Sequence, residues 1–274
     1  MSHVRKYKDG SHKCGWSICT LHSYTTQTTP QLIVLGCPLT YAFNTARYFH
    51  WICSDYGTQV VSAEEWQKAS AALLKEEKAA TRLIASIASS RRELPMVQVE
   101  NPTRFKFDTP EGEKSLPDLF EGRKQLIIYH FMLGPEDKEG CVGCSLCMDH
   151  IPDLRHLQSR ETTFVAAAKC SVEKSTAFKE RMGWKFPLYS SAKTVQAWKE
   201  AEATGEVVTW KPGNGYFGLC VFLKEGNDVY HTYATSDRGL EIILSTYHLL
   251  DMTPLGRQEE GNGMQRFRLH DQYN

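Results

Sequence analysis

The sequence lacks three features that would assign it to a function class at once: an excess of charge, a long apolar run and an apolar leader. Its 32 Lys and Arg residues balance 32 Asp and Glu residues, so no basic surface for nucleic acid is expected. Apolar runs such as residues 32–35 are far shorter than the roughly 20 residues that cross a bilayer. No apolar segment follows Arg5, Lys6 and Lys8, as it would in a signal peptide. These absences predict a cytoplasmic protein that binds neither nucleic acid nor membrane.

The first 95 residues predict an extension followed by one long helix. Residues 1–60 show little periodicity and are interpreted as a poorly defined N-terminal extension. Residues 61–95 are interpreted as a long amphipathic helix, because Ser62 and Glu65 form an S-x-x-E capping box and apolar residues then recur at steps of three and four. We expect the resulting apolar stripe to dock on the domain that follows. A coiled coil that joins two copies of the chain is the alternative.

Residues 96–255 show an alternation of strand and helix patterns. Gln125–Phe131 and Thr162–Ala168 are nearly continuous apolar runs, which is typical of parallel strands buried on both faces. They bracket a loop and a helix, so a βαβ unit is predicted. The remaining residues, 256–274, form a polar C-terminal tail that we expect to be loosely attached.

Three of the nine cysteines lie within seven residues, at Cys141, Cys144 and Cys147. In the reducing compartment expected here, nine cysteines are more typical of free thiols than of structural disulfides. A C-x-x-C pair between a buried strand and a helix is typical of a thiol–disulfide redox site. The N–H groups and the dipole at a helix N-terminus favour the thiolate, and a cysteine three residues on lies on the same face. Thiol redox chemistry is therefore the first functional hypothesis.

Two alternative roles for the clustered cysteines stay open. His150 continues the three-residue step after Cys147, and His130 precedes the cluster, so a Cys/His metal site is one alternative. Each step of three turns a side chain by about 60° around a helix, so Cys141 and His150 would face nearly opposite ways. The second alternative is that the cysteines are packing residues without chemistry. The redox hypothesis requires neither a metal nor another cofactor.

Several blocks of the sequence resemble one family. They lie at residues 93–97, 125–135, 140–145, 181–187, 229–233 and 238–239, in the expected order. On these blocks the chain is identified as a member of the thioredoxin-like family called domain of unknown function 899, whose relatives resemble peroxiredoxins and dithiol oxidoreductases in fold. The resemblance implies a three-layer α/β/α domain with a central mixed sheet. It also implies that Cys141 and Cys144 are the family's cysteine pair, whereas Cys147 is an addition that leaves open which pair closes.

Five further residues are candidates for the site. His130 ends a central strand before the cysteine loop, where it is placed to orient or deprotonate a thiol. Arg238 follows a predicted strand closely enough to lower a thiol pKa by its charge. His231 and Tyr233 alternate on that strand and are predicted to share a face; together with Trp184 they are candidates for substrate binding. For each of these residues, ordinary packing or a surface ion pair is the alternative.

The sequence therefore predicts a thiol-dependent redox protein, either a dithiol–disulfide oxidoreductase or a peroxidase-like enzyme. In the first case Cys141 attacks and Cys144 resolves; in the second, Cys144 is the peroxidatic thiolate and Cys141 or Cys147 resolves it. The expected partners are a thiol reductant and a disulfide or peroxide substrate, and a homodimer is left open. A non-catalytic thioredoxin-like binding module is the alternative from a different class, and it predicts thiols of ordinary pKa.

Overall fold

A computed structural model describes residues 59–212, 216–260 and 263–274 of the chain. The expectation for the N-terminal extension, residues 1–60, therefore lies almost wholly outside the described residues. Among the helices of the described ranges, none has both the length and the apolar composition that crossing a membrane requires.

Helix α1 spans Ala63–Arg92, close to the predicted bounds. Its capping box is formed, because the Ser62 hydroxyl accepts a hydrogen bond from the Glu65 amide at 3.2 Å and the Glu65 carboxylate accepts one from the Ser62 amide at 3.0 Å. The expected docking is not seen: no residue of α1 is buried. Periodicity predicts that an apolar stripe exists, but it does not say which surface covers the stripe.

Within the described residues, eight strands form one mixed sheet. The strands are β1 (Val97–Gln98), β2 (Lys106–Thr109), β3 (Gly112–Ser115), β4 (Gln125–Phe131), β5 (Thr162–Ala168), β6 (Leu188–Ser190), β7 (Gly218–Glu225) and β8 (Asp228–Thr235). Their order across the sheet is β1-β8-β7-β4-β5-β6-β2-β3. The other α-helices of the described ranges are α2 (Val142–Asp149), α3 (Leu154–Gln158), α4 (Val172–Arg181), α5 (Ala192–Ala203) and α6 (Ser245–Asp251).

The centre of the sheet has the predicted βαβ connectivity. Strands β4 and β5 are parallel and are joined through α2 and α3, while β7 pairs antiparallel with the other edge of β4. Strand β8 then pairs antiparallel with β7. A parallel βαβ unit followed by an antiparallel hairpin, in the spatial order β8-β7-β4-β5, is the core arrangement of a thioredoxin-like domain. The predicted fold is therefore confirmed.

Side chains on the two faces of the sheet form two separate apolar cores. Because successive residues of a strand point to opposite faces, Tyr129 and Phe131 of β4 enter one core, and Ile128 enters the other. We call these the cysteine face and the far face, since Cys144 and Cys147 lie in the first core. Helices α2, α4 and α6 contribute to the cysteine face, and α5 packs on the far face. These helices and the sheet make the three predicted layers.

The C-terminal tail is packed against the domain, which differs from the expectation of loose attachment. Leu269 is 1% exposed within the core of the cysteine face. The Tyr247 hydroxyl donates a hydrogen bond to the Gly263 carbonyl at 2.6 Å, and Arg181 forms an ion pair with Asp271 at 2.7 Å. A single buried leucine in a polar segment leaves no periodic pattern, so the sequence did not indicate this packing.

Candidate active site

Cys141 is held at the start of α2, directly after the loop that leaves β4. It is the N-cap residue of the helix, and its carbonyl accepts a hydrogen bond from the Ser145 amide at 2.8 Å. Its own amide donates to the Met132 carbonyl at 3.0 Å, which ties the loop to the end of β4. Its sulfur lies 3.9 Å from the position that a Cβ would take at Gly143, beside the first amides of the helix. The sulfur therefore lies where the unpaired N–H groups and the dipole of a helix favour an anion.

The pKa of Cys141 is lowered to about 6. The largest cause is a hydrogen bond from the Cys144 thiol, to which the amides of Cys144 and Gly143 add, while partial burial acts in the opposite direction. A thiol with this pKa is mostly thiolate at neutral pH, and the thiolate is the form that acts as a nucleophile. The start of α2 thus favours the thiolate form of Cys141.

Cys144, in contrast to Cys141, is a buried thiol that stays protonated. It is 1% exposed, and its pKa is raised far above the ordinary value, first by the hydrogen bond that it shares with Cys141 and then by burial and by the charge on Cys141. It therefore stays a thiol and donates its proton toward Cys141. An accessible thiolate beside a buried thiol is the arrangement that attack followed by intramolecular resolution requires.

Tyr129 and Cys147 lie deeper in the same face. Cys147 is buried, and burial raises its pKa to about 11. The Tyr129 hydroxyl is near the thiols of Cys144 and Cys147, is fully buried, and has no hydrogen bond of good geometry within the described ranges. Burial and the neighbouring thiols raise the pKa of Tyr129 well above its ordinary value. Sequence reasoning missed Tyr129. A tyrosine hydroxyl within an otherwise apolar strand could have indicated it, because a buried hydroxyl usually has a polar neighbour.

A cavity of about 450 Å³ opens beside Cys141. Its walls are mostly apolar and include Met132, Val142, Phe217, Leu240, Leu244 and Met264. Met264 comes from the C-terminal tail, and its methyl carbon lies 2.9 Å from the position that a Cβ would take at Gly143. A side chain at position 143 would therefore displace Met264. Sequence reasoning missed Met264 as well, and nothing in the polar pattern of the tail indicated it.

Arg238 lies at the rim of this cavity, where its place after β8 led us to expect it. Its side chain is 87% exposed and forms an ion pair with Glu241 at 3.0 Å. Because the guanidinium is exposed and already paired, solvent screens its effect on a thiolate. The lowered pKa of Cys141 has its causes in hydrogen bonds instead.

His130 does not reach the cysteines, contrary to the prediction. It lies between Tyr129 and Phe131 on β4 and therefore points to the far face, where its ring stacks on Trp210 with centroids 6.0 Å apart. Neither ring nitrogen has a hydrogen-bond partner among the described residues. Burial lowers the pKa of His130 to about 3, so the ring is neutral. The prediction was based on the position of His130 near the end of a strand. The side chains of a strand alternate between the two faces of the sheet, and this alternation places His130 on the face opposite the cysteines.

The prediction that His231 and Tyr233 share a face is wrong. His231 lies opposite Phe222 in the ladder, whereas Tyr233 lies opposite Val221, so Thr232 is the extra residue of a β-bulge. Paired residues point to the same face and neighbouring residues to opposite faces. His231 and Tyr233 therefore point to opposite faces of the sheet.

Neither of these two side chains lines the cavity beside Cys141. The His231 ring packs on Phe222 on the far face, and its Nδ1 lies 2.9 Å from the Thr209 hydroxyl. The Tyr233 ring is covered by the Arg91 guanidinium, 5.4 Å from the ring centroid. Both have structural partners away from the thiols.

Trp184 is a packing residue and not a wall of the cavity. It is buried, its ring stacks on Phe186 with centroids 5.5 Å apart, and its indole N–H donates to the Asp149 carboxylate at 2.8 Å. It is absent from the lining of the cavity beside Cys141. The three residues predicted for substrate binding are thus not brought together.

The alternative of a Cys/His metal site has no geometric support. The two ring nitrogens of His150 lie 2.6 Å from the Leu146 carbonyl oxygen and 2.7 Å from the Thr246 hydroxyl. His130 stacks on Trp210 on the other face of the sheet. In the part of the chain that the structure describes, no three His, Cys, Asp or Glu side chains converge as metal ligands.

Residues 56–273 match the model of a family described as "Bacterial protein of unknown function (DUF899)". No curated protein matches the chain.

Several solved structures are similar to the chain. One is the bacterioferritin comigratory protein of Xanthomonas campestris, whose description mentions alkyl peroxide reduction activity. It is 14% identical over 56% of this chain and 96% of that chain, with a TM-score of 0.35. A PrxQ of Xylella fastidiosa is similar at 13% identity over 57% and 94% of the two chains, with a TM-score of 0.35. Peroxidoxin BcpB of Mycobacterium tuberculosis is similar at 18% identity over 53% and 92%, with a TM-score of 0.32.

Proposed function

The chain belongs to the DUF899 family of bacterial proteins of unknown function, and we propose that it is a dithiol–disulfide oxidoreductase. Cys141 is the attacking thiolate in this proposal, and Cys144 is the resolving thiol. The observation that supports it most is the placement of a partly exposed Cys141 at the start of α2, one turn before the buried Cys144, which lowers the pKa of Cys141. A pair that served only for packing would have no reason to stabilise a thiolate.

The reaction begins when the Cys141 thiolate attacks one sulfur of a substrate disulfide. A bond forms between Cys141 Sγ and that sulfur, the substrate S–S bond breaks, and the other substrate half leaves as a thiolate. Cys144 then passes its proton to the released thiolate and attacks Cys141 Sγ, so that the second substrate half also leaves as a thiolate. Two electrons have passed to the substrate, and the protein carries a Cys141–Cys144 disulfide. A thiol reductant restores the dithiol.

Two features favour disulfide exchange over the peroxidase-like alternative. A peroxidatic Cys144 would have to be an accessible thiolate, but Cys144 is buried and its pKa is raised. The cation expected beside the thiols, Arg238, is paired with Glu241 at the rim of the cavity. Attack by Cys141 requires neither an exposed Cys144 thiolate nor a nearby cation, because Cys141 is itself partly exposed and its pKa is already lowered.

The proposal is tested with the reduced protein and a chromogenic aromatic disulfide, dithiobis(nitrobenzoate), with each product mapped by mass spectrometry. We expect the wild type to react fast at Cys141 and to end as the Cys141–Cys144 disulfide. Cys144→Ser should still react but should stop as a mixed disulfide at Cys141, because the resolving thiol is gone. In Cys141→Ser the fast labelling of the cluster should fall roughly a hundredfold, since Cys144 and Cys147 are buried and protonated; the mass map separates it from labelling of Cys14, Cys19, Cys37 and Cys53.

Cys147→Ser is the matched control, because it removes a neighbouring buried thiol that has no role in the proposed exchange. It should keep both the fast rate and the Cys141–Cys144 product. A fast rate that survives Cys141→Ser, or a wild-type product that closes through Cys147, would overturn the proposal. Thiols of ordinary pKa that react slowly would favour a binding module instead.

A further inference from the structure

Helix α1 exposes a large apolar surface that the described remainder of the chain leaves open. Six large apolar side chains on it are between 43% and 63% exposed: Trp66, Leu73, Leu74, Leu83, Ile84 and Ile87. The helix has 30 residues and is therefore about 45 Å long at 1.5 Å per residue. Several large apolar side chains exposed along one helix are a mark of an interaction site.

Four of these side chains, Trp66, Leu73, Leu83 and Ile87, have the spacing of a helix that pairs with another helix. Trp66, Leu73, Ala80 and Ile87 follow one another at intervals of seven residues. Leu83 follows Ala80 by three residues, as the second apolar position of a heptad does. A seven-residue repeat keeps one seam facing a helical partner over several turns, which a flat protein surface does not require.

The charges of α1 indicate which helix the partner is. The first half, residues 63–77, carries four acidic and two basic side chains: Glu64, Glu65, Glu76, Glu77, Lys68 and Lys75. The second half, residues 78–92, carries four basic side chains and no acidic one: Lys78, Arg82, Arg91 and Arg92. Two copies of α1 that run antiparallel would place the acidic half of each against the basic half of the other, whereas a parallel pair would place like charges together.

We propose that α1 is a homodimerisation element and that the α1 of a second copy of this chain covers its apolar stripe in antiparallel orientation. Such a pair has two-fold symmetry, so one self-complementary surface serves both copies. Glu76 lies near the centre of the seam, between Lys75 and Glu77, and a polar residue in a seam reduces stability but selects one register. The cavity beside Cys141 lies elsewhere on the chain, so dimerisation does not depend on the proposed redox function.

The first test compares two leucines of α1 in the full chain, kept reduced so that no disulfide joins two copies. Light scattering after size-exclusion chromatography should give the mass of a dimer for the wild type in the low micromolar range. Leu73→Glu, which places a charge in the seam, should raise the dissociation constant by roughly a hundredfold or more. Leu74→Glu is the matched control: this neighbouring leucine is also exposed but lies about 100° around the helix, and its variant should remain a dimer.

The second test fixes the orientation. The double variant Arg82→Glu/Arg92→Glu removes the net positive charge of the second half of α1. It should weaken an antiparallel dimer several-fold at low salt, but it would strengthen a parallel one by removing repulsion. Near-ultraviolet circular dichroism and the reactivity of Cys141 show whether each variant is folded. A wild type that is a monomer, a Leu73→Glu variant that dimerises like Leu74→Glu, or a tighter dimer in the double variant would overturn the proposal.

Discussion

The low pKa of Cys141 has its causes in one neighbouring thiol and two backbone amides. The amides come with any helix start, but the largest cause of the lowered pKa is the side chain of Cys144. The same hydrogen bond that raises the pKa of Cys144 therefore lowers that of Cys141. A C-x-x-C pair indicates this coupling in the sequence, because it places both sulfurs on one face of the first turn.

This coupling predicts how alkylation depends on pH. In the wild type, the rate of iodoacetamide alkylation at Cys141 should rise to half its maximum near pH 6, since only the thiolate reacts. Cys144→Ala removes the hydrogen bond and should move this midpoint up toward the ordinary thiol value of about 8.5. The rate at neutral pH should fall accordingly, and peptide mapping assigns the rate to Cys141.

Cys147→Ala is the control for this titration. Cys147 is not among the causes of the low pKa of Cys141, so the midpoint should stay near pH 6. An unchanged midpoint in Cys144→Ala would show that the amides alone stabilise the thiolate.

At the scale of elements, the N-terminal boundary of α1 and the buried strands β4 and β5 agree with the sequence patterns. These elements are determined by local signals: a capping box, a period of three to four residues, and continuous apolar runs. The bulge in β8 and the packing of the C-terminal tail were not foreseen. A bulge depends on the pairing of two strands, and the tail is held by a few contacts with distant residues.

The packing of the tail predicts a loss of stability when Leu269 is shortened. Leu269→Ala should lower the free energy of unfolding by about 2–5 kcal/mol, because it leaves a cavity in the core of the cysteine face. Leu249→Ala makes the same chemical change at a side chain that is 64% exposed, and it should cost no more than about 0.5 kcal/mol. Urea unfolding followed by circular dichroism measures both. Equal losses in the two variants would mean that the tail does not contribute to the core.

For the whole molecule, the low pKa of Cys141 connects the protonation of this thiol to stability. The pKa of the thiol is lower in the folded chain, at about 6, than its ordinary value of about 8.5 in an unfolded one. Folding of the reduced protein is therefore favoured fully above that ordinary value, and this contribution is lost as the pH falls through about 6. In the proposed Cys141–Cys144 disulfide neither sulfur titrates.

We therefore expect the melting temperature of the reduced protein, relative to that of the oxidised protein, to rise by a few degrees between about pH 5 and pH 8. Differential scanning calorimetry of both forms across this range measures the change. The Cys141→Ser variant, treated identically, should show no such rise. A difference that is constant with pH in the wild type would show that the thiolate does not stabilise the fold.

Local sequence patterns were sufficient to predict the long helix α1, the buried strands β4 and β5, and the position of Cys141 and Cys144 at the start of a helix. Each of these follows from residues that are neighbours in the chain. Three placements required the folded structure: His130 points away from the thiols, Tyr129 lies beside them, and Met264 lies against Gly143. The physical reason is that these placements depend on which face of the sheet a side chain takes and on contacts between distant segments. Those contacts depend on strand alternation, on one bulge and on the path of the tail. Local patterns of the sequence do not reveal these contacts.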